Sequence, residues 1–113
     1  MIFRASAAAT LLGAALFVAF DIAAADVPTV KHVAACNTEA QGAARSSTAS
    51  PTAKDKAQAA DARKGNQRKA ERTDPTGRIV ESPDPQLDGM DAEGAKDAAY
   101  RAAYRVCMRK NGF

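Results

Sequence analysis

The sequence predicts a mostly α protein with extensive disorder: two short helices stapled by a disulfide, a marginal solvated helix between them, and no sheet. Three observations predict it. The first is the quality of the apolar content. Of 113 residues 46% are hydrophobic, yet 28 are alanine, whose methyl group buries little area and gives a core no shape. Once residues 1–25 are set aside as a targeting segment, the larger apolar residues are Val27, Val30, Val33, Cys36, Ile79, Val80, Leu87, Met90, Tyr100, Tyr104, Val106, Cys107, Met108 and Phe113. The second is their distribution, because none lies between Asn37 and Arg78. Ordering a backbone costs about 1–2 kcal/mol per residue, which a long stretch without one large apolar side chain cannot offset. The third is that the two stretches that do carry such residues hold one cysteine each. Together these observations exclude a conventional enzyme domain spanning the chain.

Residues 1–25 have the pattern of a secretory signal peptide. Arg4 supplies a positive start, Ala5 to Phe20 is uncharged and apolar, and Ala23 and Ala25 place small residues at −3 and −1 of a cut before Asp26. The uncharged run is shorter than the ~20 residues a spanning helix needs. No transmembrane segment is therefore expected in the mature protein, whose location is periplasmic or extracellular. A second processing signal is present at Val33-Ala34-Ala35-Cys36, a lipobox-like sequence that would make a lipoprotein anchored at Cys36. It stands apart from the apolar run, separated by Asp26, Pro28, Lys31 and His32.

The mature chain divides into 26–46, 47–90 and 91–113. In the first part, Val30, Val33, Cys36, Ala40 and Ala44 recur at helical spacing from Thr29 to about Arg45. The middle part is charged, of low complexity and expected to be largely disordered. Within it, Ala53 to Arg72 is rich in helix formers, with Ser50 suited to the N-cap and Pro51 to the first position, or Thr52 as an alternative cap with Asp55 three residues on. Only alanines could bury there, so a solvated helix fraying toward Gly65 is expected. From Thr73 to Asp91, Asp74-Pro75, Ser82-Pro83, Asp84-Pro85 and Asp88-Gly89 read as turns. Ile79-Val80 is the one β-like pair. In the last part, a helix from Asp91 to Lys110 puts Tyr100, Ala103, Tyr104 and Cys107 on one face. That face is expected to pack on Val33, Cys36 and Ala40.

Export and an even cysteine count make a Cys36–Cys107 disulfide the simplest reading. A thiol-dependent redox protein is the alternative, although no Cys-x-x-Cys is present. Charge alternates in blocks: Lys54 to Arg72 is basic, Thr73 to Asp97 acidic, and Ala98 to Phe113 basic again. An anionic envelope surface, lipid or lipopolysaccharide, is therefore a candidate partner. Its candidate contacts are Lys54, Lys56, Arg63, Lys64, Arg68, Lys69, Arg72, Arg101, Arg105 and Arg109. No nucleic acid is expected, because the basic run from Lys54 to Arg72 has no aromatic residue on which a base could stack.

No catalytic or cofactor-binding residue is expected, and no cofactor. The single histidine, His32, has no nucleophile or carboxylate placed to orient it and reads as an exposed helix residue. For metals, Asp84, Asp88, Asp91 and Glu93 lack the EF-hand spacing.

Cys36-Asn37-Thr38-Glu39-Ala40 resembles the Cys-Asn-x-x-Ala opening of the phosphate-starvation-inducible PsiF-type secreted proteins of bacteria. Gly65-Asn66-Gln67-Arg68-Lys69 and Cys107-Met108 are similar to that family's Gly-x-x-Arg-Lys segment and its later cysteine. Here the pieces are spread more widely than the family's short repeat, and Ala70 stands where the family has an aromatic residue. The ending from Cys107 to Phe113 also resembles the Cys-x-x-x-x-Gly-aromatic tails of small exported bacterial proteins. The resemblance implies a small two-cysteine periplasmic protein and carries no activity. The leading expectation is an exported, non-enzymatic protein with an interaction or envelope role.

Overall fold

The computed structural model of the protein describes residues 27–65 and 71–113. The predicted signal segment with Ala23, Ala25 and Asp26, and the basic residues Arg68 and Lys69, lie outside the described residues.

Helix α1 spans Val30–Ser46. It starts where Thr29, in extended backbone, accepts from the His32 N–H and donates its own N–H to the His32 ring, a capping box. It stops at Ser47 in the left-handed region. Cys36 and Ala40 form its buried stripe, flanked by Val33, Ala43 and Ala44.

Helix α3 spans Ala98–Lys110 and packs on α1 through the predicted face. Tyr100, Ala103, Tyr104 and Cys107 join Cys36, Ala40, Val80, Leu87, Met90, Ala95 and Met108 in one core. The protein is thus mostly helical, with α1 and α3 stapled by the Cys36–Cys107 disulfide. Its last helix begins later than expected. Asp97, not Asp91, is the cap, its Oδ1 accepting from the N–H groups of Ala99 and Tyr100. Gly94–Lys96 forms a separate 3₁₀ turn before it. The Tyr100 ring lies against Gly94, where an added Cβ would come within 2.5 Å of the ring.

Helix α2 spans Ala53–Lys64. Thr52 and Asp55 make its capping box, and Gly65 at φ +70° ends it instead of sitting inside a longer helix. The expectation of a solvated helix with little tertiary contact needs correction, since Asp55, Ala59 and Ala62 are buried. Alanine is small enough to let this helix lie close on α3 and the 3₁₀ turn, and an ion pair holds it there.

The expectation of no sheet is also corrected. Strand β1, Arg72–Thr73, pairs antiparallel with β2, Val80–Glu81. Between them Asp74-Pro75-Thr76-Gly77 turns the chain, and the Asp74 carboxylate accepts from the Thr76 hydroxyl and from the Arg78 and Ile79 N–H groups. On its other side, Val80 exchanges backbone hydrogen bonds with Gly89 and Met90, and Ile79 bridges to Asp91. The turn signals were visible, but Arg72–Thr73 has no alternating pattern that marks it as a strand. Within 47–90, read as largely disordered, the described residues therefore carry a capped helix, this ladder and the buried side chains of Val80, Leu87 and Met90.

Candidate functional site

An open groove of about 500 Å³ runs between α1 and the turn that follows β2. Val30, Val33 and Ile79 supply its apolar wall, while Arg78 and Asp91 add one charge of each sign. Val30 is 85% exposed and Ile79 43%.

Asn37 organises the base of the groove. Its Nδ2 donates to the Gly89 carbonyl at 3.0 Å, and its Oδ1 accepts from the Asp91 N–H at 2.8 Å and from the Tyr100 hydroxyl at 2.7 Å. One amide thus ties α1 to both the turn and α3. Gly89, at φ +82°, runs so close to α1 that a Cβ would meet the Val33 methyls at 2.8 Å. Tyr104 donates to the Asp88 carbonyl at 2.6 Å. Burial, aided by Asp91, pushes the Tyr100 phenol up to about 12. Burial with Asp88 and Tyr100 raises Tyr104 further. Both phenols therefore stay protonated as donors at neutral pH.

Neither motif nor spacing in the sequence marks Asn37, Gly89 and Tyr100 as site residues. One signal was available. Asparagine is a poor helix-interior residue, and Asn37 sits within α1 directly beside the buried Cys36.

The disulfide lies inside the helix pair, with both cysteines buried and no free cysteine among the described residues. An acyl anchor on Cys36 would need the sulfur that is here bonded to Cys107. Thiol exchange needs an approachable sulfur, which this burial opposes.

The basic residues fall into two groups. Lys54, Lys56, Arg63, Lys64, Arg72 and Arg109 are exposed. Arg63 donates to the Lys96 carbonyl, and Arg72 pairs with Glu81. Arg101 and Arg105 are not a surface face, because that side of α3 is covered. Arg101 is fully buried, donating to Glu71 Oε2 at 2.7 Å and to the Ala95 carbonyl at 3.1 Å. Arg105 donates to Asp55 at 2.7 Å. Burial opposes the Asp55 charge, but Arg105 and the Thr52 N–H and hydroxyl outweigh it and hold the carboxyl below its ordinary value.

The acidic residues of the turns serve the backbone. Asp84 accepts from the Gln86 N–H, Asp88 from Ser82 and Asp91 from Gly94. No cluster that could hold a metal ion occurs among the described residues. His32, read as an exposed helix residue, is half-buried, capping α1 and meeting the Phe113 ring edge-on. No described helix is long and apolar enough to cross a membrane. No protein-family model matches the chain, and no curated protein or solved structure is significantly similar to it.

Proposed function

We propose that this is an exported, non-enzymatic protein of the periplasm or extracellular space, acting by contact with an envelope partner. The observation that carries this reading is the buried Cys36–Cys107 disulfide joining the two core helices, a bond that persists in oxidising compartments. The signal-like pattern of residues 1–25 supports the same compartment. The groove of Val30, Val33, Ile79 and Arg78 is the surface offered to the partner. Mass spectrometry of the non-reduced protein recovered from its host tests the proposal. The expected species begins at Asp26, carries no lipid and is two hydrogens lighter than the dithiol. An uncut chain retained in the cytoplasm with two free thiols would refute it.

A second reading, adhesion to anionic lipid, is favoured by the exposure of Lys54, Lys56, Arg63 and Lys64 on the single helix α2. Salt-sensitive co-sedimentation with phosphatidylglycerol vesicles is the expected result, lost when these four residues are replaced by glutamine.

A further inference from the structure

The cover over the α3 arginines has a composition unlike the rest of the fold. Its buried members on α2 are Asp55, Ala59 and Ala62, so its apolar contribution comes from alanines alone. At ~25 cal/mol per Å² an alanine methyl contributes far less than Tyr104 or Met108 does between α1 and α3. What specifically attaches this cover is charge. Asp55 reaches Arg105, Glu71 reaches Arg101, and Arg63 reaches the Lys96 carbonyl. The Arg101–Glu71 contact is incomplete: Arg101 Nε and Glu71 Oε1 are both buried and neither has a partner. A fully buried guanidinium that leaves a donor unused is held by a carboxylate that does not match its fork.

We propose that Arg101 and Arg105 form an acid-binding face on α3, and that α2 with Glu71 is an intramolecular occupant which an acidic segment of a partner protein displaces. The two arginines stand one helical turn apart, so they accept two carboxylates presented along one chain, as Asp55 and Glu71 are now. Opening this cover leaves the rest of the protein intact, since the disulfide and the α1–α3 core do not pass through α2. With only alanines as its buried apolar residues, the cover has little apolar attachment, and weakly attached elements are where displaceable segments are found. This face is separate from the groove and does not depend on where the protein resides.

The test uses the full oxidised chain and a fluorescent decapeptide of alternating glutamate and alanine, with a glutamine version as control. Asp55→Asn keeps a capping acceptor for α2 while removing the charge, and Glu71→Gln does the same for the Arg101 contact. In the double variant the α2 amides are expected to exchange at least tenfold faster and the acidic peptide to bind at least tenfold more tightly than to the wild type. Adding Arg105→Gln is expected to abolish the gain while α2 stays open. Single variants give the same readout if the double variant does not fold.

Unchanged α2 exchange would show that charge does not hold the cover. Open α2 without tighter peptide binding would show that the arginines are purely structural. A gain that survives Arg105→Gln would assign it to net charge alone. Tighter binding to phosphatidylglycerol vesicles but not to the peptide would overturn the choice of partner. Each of these four results defeats the proposal, while the exported-protein reading stands or falls on mass spectrometry alone.

Discussion

At the scale of single residues, Gly89 and Asn37 determine how the irregular segment seats on the helix pair. Gly89 combines a left-handed backbone with a close approach to Val33, so a methyl group is penalised twice. Gly89→Ala is expected to cost about 2–3 kcal/mol, seen as a lower midpoint in urea with an unchanged slope. The tyrosines add a pH dependence. A phenol whose folded pKa lies above its unfolded value of about 10 stays protonated in the fold while the unfolded chain loses its proton. Stability is therefore full below pH 10 and falls as pH rises toward 12, the value to which Tyr100 is pushed. Phenolate absorbance is expected to appear in one cooperative step with loss of helix, rather than as a titration near pH 10 in the folded state. Tyr100→Phe should narrow that loss while removing the bond to Asn37.

At the scale of elements, local chemistry set most helix boundaries. Thr29, Thr52 and Asp97 are caps because short oxygen-bearing side chains satisfy the first free N–H groups. Thr52, Asp55 and the packing face of α3 were legible in the sequence, because capping and helical period act over three or four residues. The strand Arg72–Thr73 was not legible, since its partner is selected by the turn and by the fit of Val80 into the core. Helix α2 carries an acid-sensitive attachment. Asp55 has its pKa lowered in the fold, so its stabilisation is present above its ordinary value near 3.8 and is lost as pH falls through the depressed one. Protection of the α2 amides, measured against the unfolded-chain rate at each pH, is expected to fall below pH 3.8 ahead of that of α1 and α3. Asp55→Asn should give low protection on both sides of that pH.

At the scale of the whole molecule, stability rests on a small core and one covalent bond. The core gathers four large side chains of α3, Tyr100, Tyr104, Cys107 and Met108, around Cys36, Val80, Leu87 and Met90. Closing the 71-residue separation removes about 4 kcal/mol of chain entropy from the unfolded state. Domains of this size have only about 5–15 kcal/mol in total. Replacing both cysteines by serine is therefore expected to leave the chain largely unfolded at 37 °C, with far-UV circular dichroism losing most of its helical signal. Reduction of the wild type should do the same, at a rate limited by opening of the core.

The sequence by itself determined the helix pair, its apolar seam and the disulfide across it, because the spacing of Cys36, Tyr100, Tyr104 and Cys107 specifies a face and two cysteines specify a partner. It also marked the turns and the Thr52 cap, but not the Asp97 cap. Only the tertiary structure decided that Arg101 and Arg105 are covered, that Val80 lies between β1 and the Gly89–Met90 backbone, and that Asn37 joins three segments. Most of those outcomes depend on groups far apart in the chain, 30 residues for Arg101 and Glu71, 50 for Arg105 and Asp55 and 54 for Asn37 and Asp91. No periodicity or short motif records such a pairing. It appears when a core of a few large side chains fixes the path of the backbone and charged groups find the partners that path brings near.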